Sequence, residues 1–165
     1  MVVEVGRLVS KFAIGDRVAV PFILLCGSCR ECERSRPTIC EAQAQPGFTM
    51  AGSFAEYVSL PRADVNLAKL PESVSFVAAA ALGCRATTAY RAVVQQGRLA
   101  AGEAIAVFGC GGLGLSCIMM VAAHGAKSII AVDTSPAARA KSLSLGATFS
   151  VDASLGSRAR ACPSR

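Results

Sequence analysis

The sequence predicts an α/β chain: a turn-rich, β-leaning first half and a second half built on a parallel sheet. Three observations carry this. From residue 104 to residue 151, apolar strand-like runs alternate with helical stretches as strand, helix, strand, helix, strand, the order of βαβ units with crossover helices. Hydrophobic residues make up 53% of the chain and charged residues 17%, which suits deeply buried elements and excludes disorder. The length, 165 residues, allows one large domain or two small ones.

In chain order, Val2, Val3 and Val5 form a β signal closed by Gly6. Gly15-Asp16 is a turn signal before a strand over residues 17–20, which Pro21 ends. Residues 26–47 carry Cys, Arg, Gly and Pro without an apolar period and read as a loop, too long to stay structureless unless something staples it. Residues 53–60 and 65–70 read as further short strands, each followed by Pro. The pattern then turns helical: residues 73–82 and 85–96 are Ala-rich, with Gly97 as a stop.

Residues 104–108 read as a buried strand and residues 113–124 as an apolar helix stopped by Gly125. Residues 128–132 form a second buried strand that ends at Asp133. Pro136 sits where a first helical turn lacks a partner for its N–H anyway, Gly146 ends that helix, and residues 148–151 give a third strand. No internal repeat is present. Residues 154–165 have no periodicity and are expected to be an unstructured tail.

Lys and Arg number 17 against 11 Asp and Glu, a net charge of +6. Three of the basic residues, Arg158, Arg160 and Arg165, lie in the tail, and no other cluster has the footprint of a nucleic-acid binder. Residues 104–126 bear no formal charge and are long enough to span a bilayer, but Gly109, Gly111, Gly112 and Gly114 cluster inside them, so no membrane span is read here. Residues 1–6 lack a basic n-region and are not a secretory signal. A cytoplasmic location with reduced thiols is therefore expected, and clustered Cys residues there are metal ligands more often than disulfides.

Cys26, Cys29, Cys32 and Cys40 have the spacing C-x2-C-x2-C-x7-C. Four thiolates within fifteen residues can wrap one tetrahedral zinc ion, and Gly27-Ser28 permits the tight turn inside the first pair. With all four positions filled by protein, such a site is structural rather than catalytic. Arg30, Arg34 and Arg36 can offset its negative charge from outside. Two other readings remain: four unlinked buried thiols, and an iron–sulfur electron carrier. The second meets a mismatch, because the bacterial ferredoxin run continues x3-C-P where this chain has x7 and no Pro after Cys40.

Gly109, Cys110, Gly111, Gly112, Leu113 and Gly114 form G-x-G-x-x-G between a buried strand and an apolar helix. In that context Gly109 makes the turn, Gly111 admits a pyrophosphate against the backbone, and Gly114 lets the helix pack on the strand. Asp133, 24 positions after Gly109, stands where a carboxylate accepts both ribose hydroxyls and repels a 2′-phosphate, which favours NAD over NADP. A glycine-rich turn that binds nothing, with Asp133 as an exposed cap, is the alternative.

These residues resemble the zinc-dependent alcohol dehydrogenases of the medium-chain dehydrogenase/reductase superfamily. The resemblance rests on the four-Cys spacing and on the order Gly15-Asp16-Arg17-Val18, the Cys loop, Gly52-Ser53-Phe54-Ala55-Glu56-Tyr57-Val58, Gly83-Cys84, the Gly turn and Asp133. It implies a partial GroES-like β-barrel catalytic domain over residues 1–85 with a structural zinc loop at 26–40. The first half of a Rossmann NAD-binding domain would follow over residues 86–153. It also implies hydride transfer between a small-molecule alcohol or aldehyde and a nicotinamide, with a catalytic zinc as Lewis acid.

By position, Cys84 matches a ligand of that catalytic zinc and Thr88 a residue beside the nicotinamide; family members are usually homo-oligomers. The family places its other catalytic-zinc ligands, a Cys and a Gly-His-Glu segment, upstream of the residues that match here. This chain alone is therefore expected to be inactive, and a non-catalytic zinc-binding fragment is the alternative reading. A basic residue often sits five positions after the ribose Asp; here that place is Ala138, with Arg139 adjacent. His124 reads as a helix-end residue, Cys110 and Cys117 as packing, and Cys162 belongs to the tail.

Overall fold

The computed structural model describes residues 1–158. The chain divides into two compact units, Met1–Cys84 and Arg85 onward.

In the first unit a two-residue antiparallel pair, β1 (Val18–Ala19) with β2 (Ala68–Lys69), sets Val18 opposite Lys69 and Ala19 opposite Ala68. Lys69 Nζ reaches Asp16 Oδ2 at 2.8 Å across the same pair. The β signal at residues 2–5 yields no strand, although Val2 exchanges two backbone bonds of 2.9 Å with Gly15 and Asp16 across the predicted turn. Residues 53–60 are also not a strand: β propensity needs a partner ladder and a face to bury, and Phe54 and Tyr57 are exposed. Part of the strand predicted over 65–70 is instead the short helix α2 (Ala63–Asn66), which begins after Arg62 takes a left-handed conformation, φ 54°. The cysteine loop is not structureless. It contains α1 (Arg30–Glu33) and a 3₁₀ turn, Pro37–Ile39.

The loop is tied down at its base. Leu24 and Ala44 exchange both backbone bonds at 2.8 Å, and Leu24 is 1% exposed. Beside it the buried side chain of Asn66 works as a staple. Its Oδ1 accepts from Leu25 N–H at 2.7 Å, and its Nδ2 donates to the Leu25, Pro61 and Arg62 carbonyls. A buried amide is tolerated because every polar atom is satisfied. The helix α3 (Phe76–Ala81) starts on Ser75, whose hydroxyl accepts from Ala78 N–H at 3.1 Å. A π-helical turn, Leu82–Ala86, follows it.

The second unit opens with α4 (Thr87–Tyr90) and a π-helical turn, Arg91–Gln96, that ends at Gly97 as the sequence predicts. Its sheet is parallel, in the order β3 (Ala104–Phe108), β4 (Ser128–Asp133), β5 (Phe149–Asp152). Two crossover helices connect the strands: α5 (Gly112–Ala123) packs on β3 and β4, and α6 (Pro136–Ser144) on β4 and β5. Pro136 is the first residue of α6, and the Ser135 hydroxyl caps it by accepting from Ala138 N–H. His124 is the C-cap of α5, and Gly125 follows in a left-handed conformation, φ 79°.

The core gathers Val93, Val107, Cys110, Ile118, Val121, Ile129, Ala131 and Ala147, so Cys110 is a packing residue. Cys117 is half-buried against that core. Strand alternation then corrects the expectation of a fully buried β3. Val107 faces the helices, whereas Ala104, Ala106 and Phe108 point the other way and are exposed, Phe108 at 79%. The expectation of an unstructured tail from residue 154 meets regular structure over residues 154–158. Asp152 Oδ1 accepts from the N–H and hydroxyl of Ser154, and a 3₁₀ turn covers Ala153–Arg158. Residues 159–165, with Cys162, lie outside the described residues.

Candidate functional site

Folding brings the four cysteine thiols of the loop together, and their sulfurs all lie within 4.8 Å of one another. Cys26 and Cys40 are buried, at 9% and 3% exposure. The Sγ–Sγ separations are 3.9 Å for Cys26–Cys32, 3.5 Å for Cys29–Cys32 and 3.9 Å for Cys29–Cys40. A tetrahedral ion with Zn–S bonds of about 2.3 Å sets its ligand sulfurs about 3.8 Å apart, so the geometry fits one zinc held by four thiolates. The distances are far above a disulfide bond of about 2.05 Å. They also favour one shared ion over an iron–sulfur cluster, whose thiolates are spread over several iron atoms.

The backbone is aimed at the sulfurs as well. Ser28 and Cys29 N–H groups donate to Cys26 Sγ at 3.4 and 3.2 Å, and Cys26 N–H donates to Cys40 Sγ at 3.3 Å. The Ser28 N–H first, then the Cys29 N–H, pull the Cys26 thiol down to about 6. The N–H groups of Cys32 and Glu41 lower Cys29 too. Burial pushes Cys32 up to about 12. A loop that already stabilises thiolate at two positions is prepared for a cation. Arg30, Arg34 and Arg36 are all exposed on the same loop, outside the sulfur cluster. Cys84 lies in the π-helical turn Leu82–Ala86 and is exposed; it belongs to no group of three or more candidate ligands among the described residues. Thr88 is exposed on α4.

The second arrangement is the glycine turn between β3 and α5. Gly109 has φ 85°, which L side chains rarely adopt. A Cβ at Gly114 would overlap the Gly109 carbonyl oxygen, so the close approach of helix to strand depends on its absence. A Cβ at Gly111 would meet nothing within 4 Å, leaving that backbone open to an approaching group. Gly111 is the N-cap of α5 and supplies no side-chain cap, so side chains leave the first-turn N–H groups of Gly112, Leu113 and Gly114 without an acceptor.

Asp133 does more than the sequence reading assigns to it. Its Oδ2 accepts from Cys110 N–H at 2.6 Å and its Oδ1 from Ser135 N–H at 2.7 Å. These two donors, Cys110 first, hold its carboxyl below the ordinary value of 3.8. Asp133 therefore braces the glycine turn from the end of the neighbouring strand. Arg139, the basic residue shifted by one position, donates to the Asp133 and Thr134 carbonyls at 2.9 Å and pairs with Asp152 at 2.8 Å. It ties the ends of β4 and β5 together. Neither the Asn66 staple nor the Arg139 clamp is visible in the sequence, because both join residues through folding rather than through a motif.

Residues 1–72 match the alcohol dehydrogenase GroES-like domain family. Alcohol dehydrogenase 6 of Peromyscus maniculatus is 32% identical over 92% of this chain and 45% of its own length. The solved alcohol dehydrogenase TADH from Thermus sp. ATN1 superposes with a TM-score of 0.88 at 33% identity, covering 94% of this chain and 46% of that one. A solved NAD-dependent alcohol dehydrogenase gives a TM-score of 0.82 at 32% identity, over 92% of this chain and 44% of that one. The chain thus spans less than half the length of the proteins it matches.

Proposed function

Because the chain belongs to the zinc-dependent alcohol dehydrogenase family of the medium-chain dehydrogenase/reductase superfamily, we propose that it carries two working parts of an NAD-linked alcohol dehydrogenase. One is the structural zinc loop of Cys26, Cys29, Cys32 and Cys40 in a partial GroES-like domain over residues 1–85. The other is the first half of a Rossmann domain over residues 86–153. The observation that carries the reading is the glycine turn: backbone open at Gly111, uncapped amides at the α5 N-terminus and an ionised Asp133 at the end of β4.

In this reading the pyrophosphate of NAD lies on the amides of Gly112, Leu113 and Gly114, and Asp133 takes the adenosine ribose hydroxyls. Held there, NAD would supply hydride transfer to or from a small alcohol or aldehyde. Thr88 flanks the nicotinamide. The place of action is a reducing compartment, the cytoplasm, with assembly into a homo-oligomer. NADP carries a 2′-phosphate where Asp133 presents its charge. Calorimetric titration should therefore show NAD binding at least about tenfold tighter than NADP, a gap of about 1.4 kcal/mol, which narrows in Asp133→Ala. A wild-type preference for NADP would remove Asp133 from the ribose.

The catalytic zinc does not fit the described residues, since a catalytic site takes about three protein ligands and an open position, and Cys84 stands outside any ligand group. No chemical step is assigned to it. The chain by itself is accordingly expected to show no alcohol oxidation. The assay follows NADH absorbance with zinc, NAD and a panel of primary and secondary alcohols. Turnover clearly above a Cys84→Ala control would reject the reading of this chain as a non-catalytic zinc-binding portion.

A further inference from the structure

The glycine turn holds one glycine that the dinucleotide logic does not require. Gly109, Gly111 and Gly114 each have a reason to lack a side chain; Gly112 lies between them as the first residue of α5. The space beside it is taken by a side chain from outside the motif. A Cβ on Gly112 would lie 2.6 Å from Arg85 Nη1 and 2.8 Å from Arg85 Cδ, so the Arg85 side chain lies directly across the start of the helix. Arg85 is exposed, and it takes no part in the ion pairs of the described residues, Lys69–Asp16 and Arg139–Asp152. No acid occupies the first turn of α5 beneath it. A guanidinium with no carboxylate partner among the described residues and a set of amides without a side-chain cap thus meet at one spot, both suited to a phosphate.

We propose that Arg85 is a binding residue for the pyrophosphate of the dinucleotide, its guanidinium closing over a phosphate that the α5 amides hold from below. The inference rests on the dinucleotide reading above and extends it to a residue outside the glycine motif. The planar fork of Arg can give two parallel N–H bonds to phosphate oxygens, which a Lys cannot copy. The effect belongs to ligands with a pyrophosphate and not to the adenosine end, whose contacts lie at Asp133.

The test titrates the full chain and its Arg85→Ala and Arg85→Lys variants with NAD, ADP-ribose and adenosine. Arg85→Ala should weaken NAD and ADP-ribose about tenfold or more, as loss of a charge-assisted bond predicts, and leave adenosine unchanged. Arg85→Lys should fall between, and the salt dependence of ADP-ribose binding should become shallower in Arg85→Ala. Adenosine binding also serves as the control for folding. Equal ADP-ribose affinity in wild type and Arg85→Ala overturns this inference alone. A wild-type chain that binds none of the three ligands overturns the dinucleotide reading and the inference with it.

Discussion

Purified protein is expected to hold about one zinc ion per chain, and Cys40→Ala to lose it. Cys40 is the ligand farthest along the loop from the other three, and it is 3% exposed. Its sulfur lies 3.9 Å from that of Cys29 and accepts the Cys26 N–H. Without it, three clustered thiolates keep part of the coordination, but the segment from Glu33 to Cys40 is no longer drawn to the ion. That segment has little else to hold it, since none of the residues of α1 or of the 3₁₀ turn is buried. Zinc in such modules contributes ~10–16 kcal/mol to folding, so its loss should unfold the loop. Elemental analysis of wild type and variant gives the zinc content, and circular dichroism with and without a chelator reports the fold. Undiminished zinc in Cys40→Ala would sink the four-ligand assignment.

The other large effect is expected at Gly114. A methyl group there overlaps the Gly109 carbonyl oxygen, and that oxygen belongs to backbone that cannot step aside without unwinding the turn. Gly114→Ala should therefore cost at least the ~1–3 kcal/mol typical of overpacked interiors, with Gly114→Val worse, and both should lose dinucleotide binding. Gly111→Ala makes the contrast. Its added Cβ meets nothing within 4 Å, so its stability should stay near wild type while NAD binding falls. Urea unfolding paired with calorimetry separates the two. Equal stability of Gly114→Ala and wild type would show that the helix does not sit on the turn as described.

Much of the second unit was legible in the sequence because its signals are local. The apolar runs of β3 and β4, Pro136 at the start of α6 and Gly125 after α5 act within a few residues of themselves, and the elements form where they predict. The first unit is less legible for the same reason. Residues 53–60 have strand-like composition, yet a strand exists only where a partner ladder and a buried face are supplied, and neither is there. Residues 63–66 became helix although Val65 suggested strand, with Asn66 drawn inward to bind the Leu25 backbone.

By itself the sequence determined the four-cysteine spacing, the glycine turn and the acid at the end of β4, because each is set by the reach of a short stretch of backbone. Tertiary structure alone decided that the four sulfurs meet within 4.8 Å, that Asp133 braces Cys110 across 23 positions, that one face of β3 stays exposed, and that Arg85 crosses Gly112. Those facts depend on which distant segments the packing of α5 and α6 on the sheet, and the Leu24–Ala44 tie at the base of the loop, bring side by side. Local periodicity names the elements; only the distances between them show which polar groups are already satisfied and which still await a ligand.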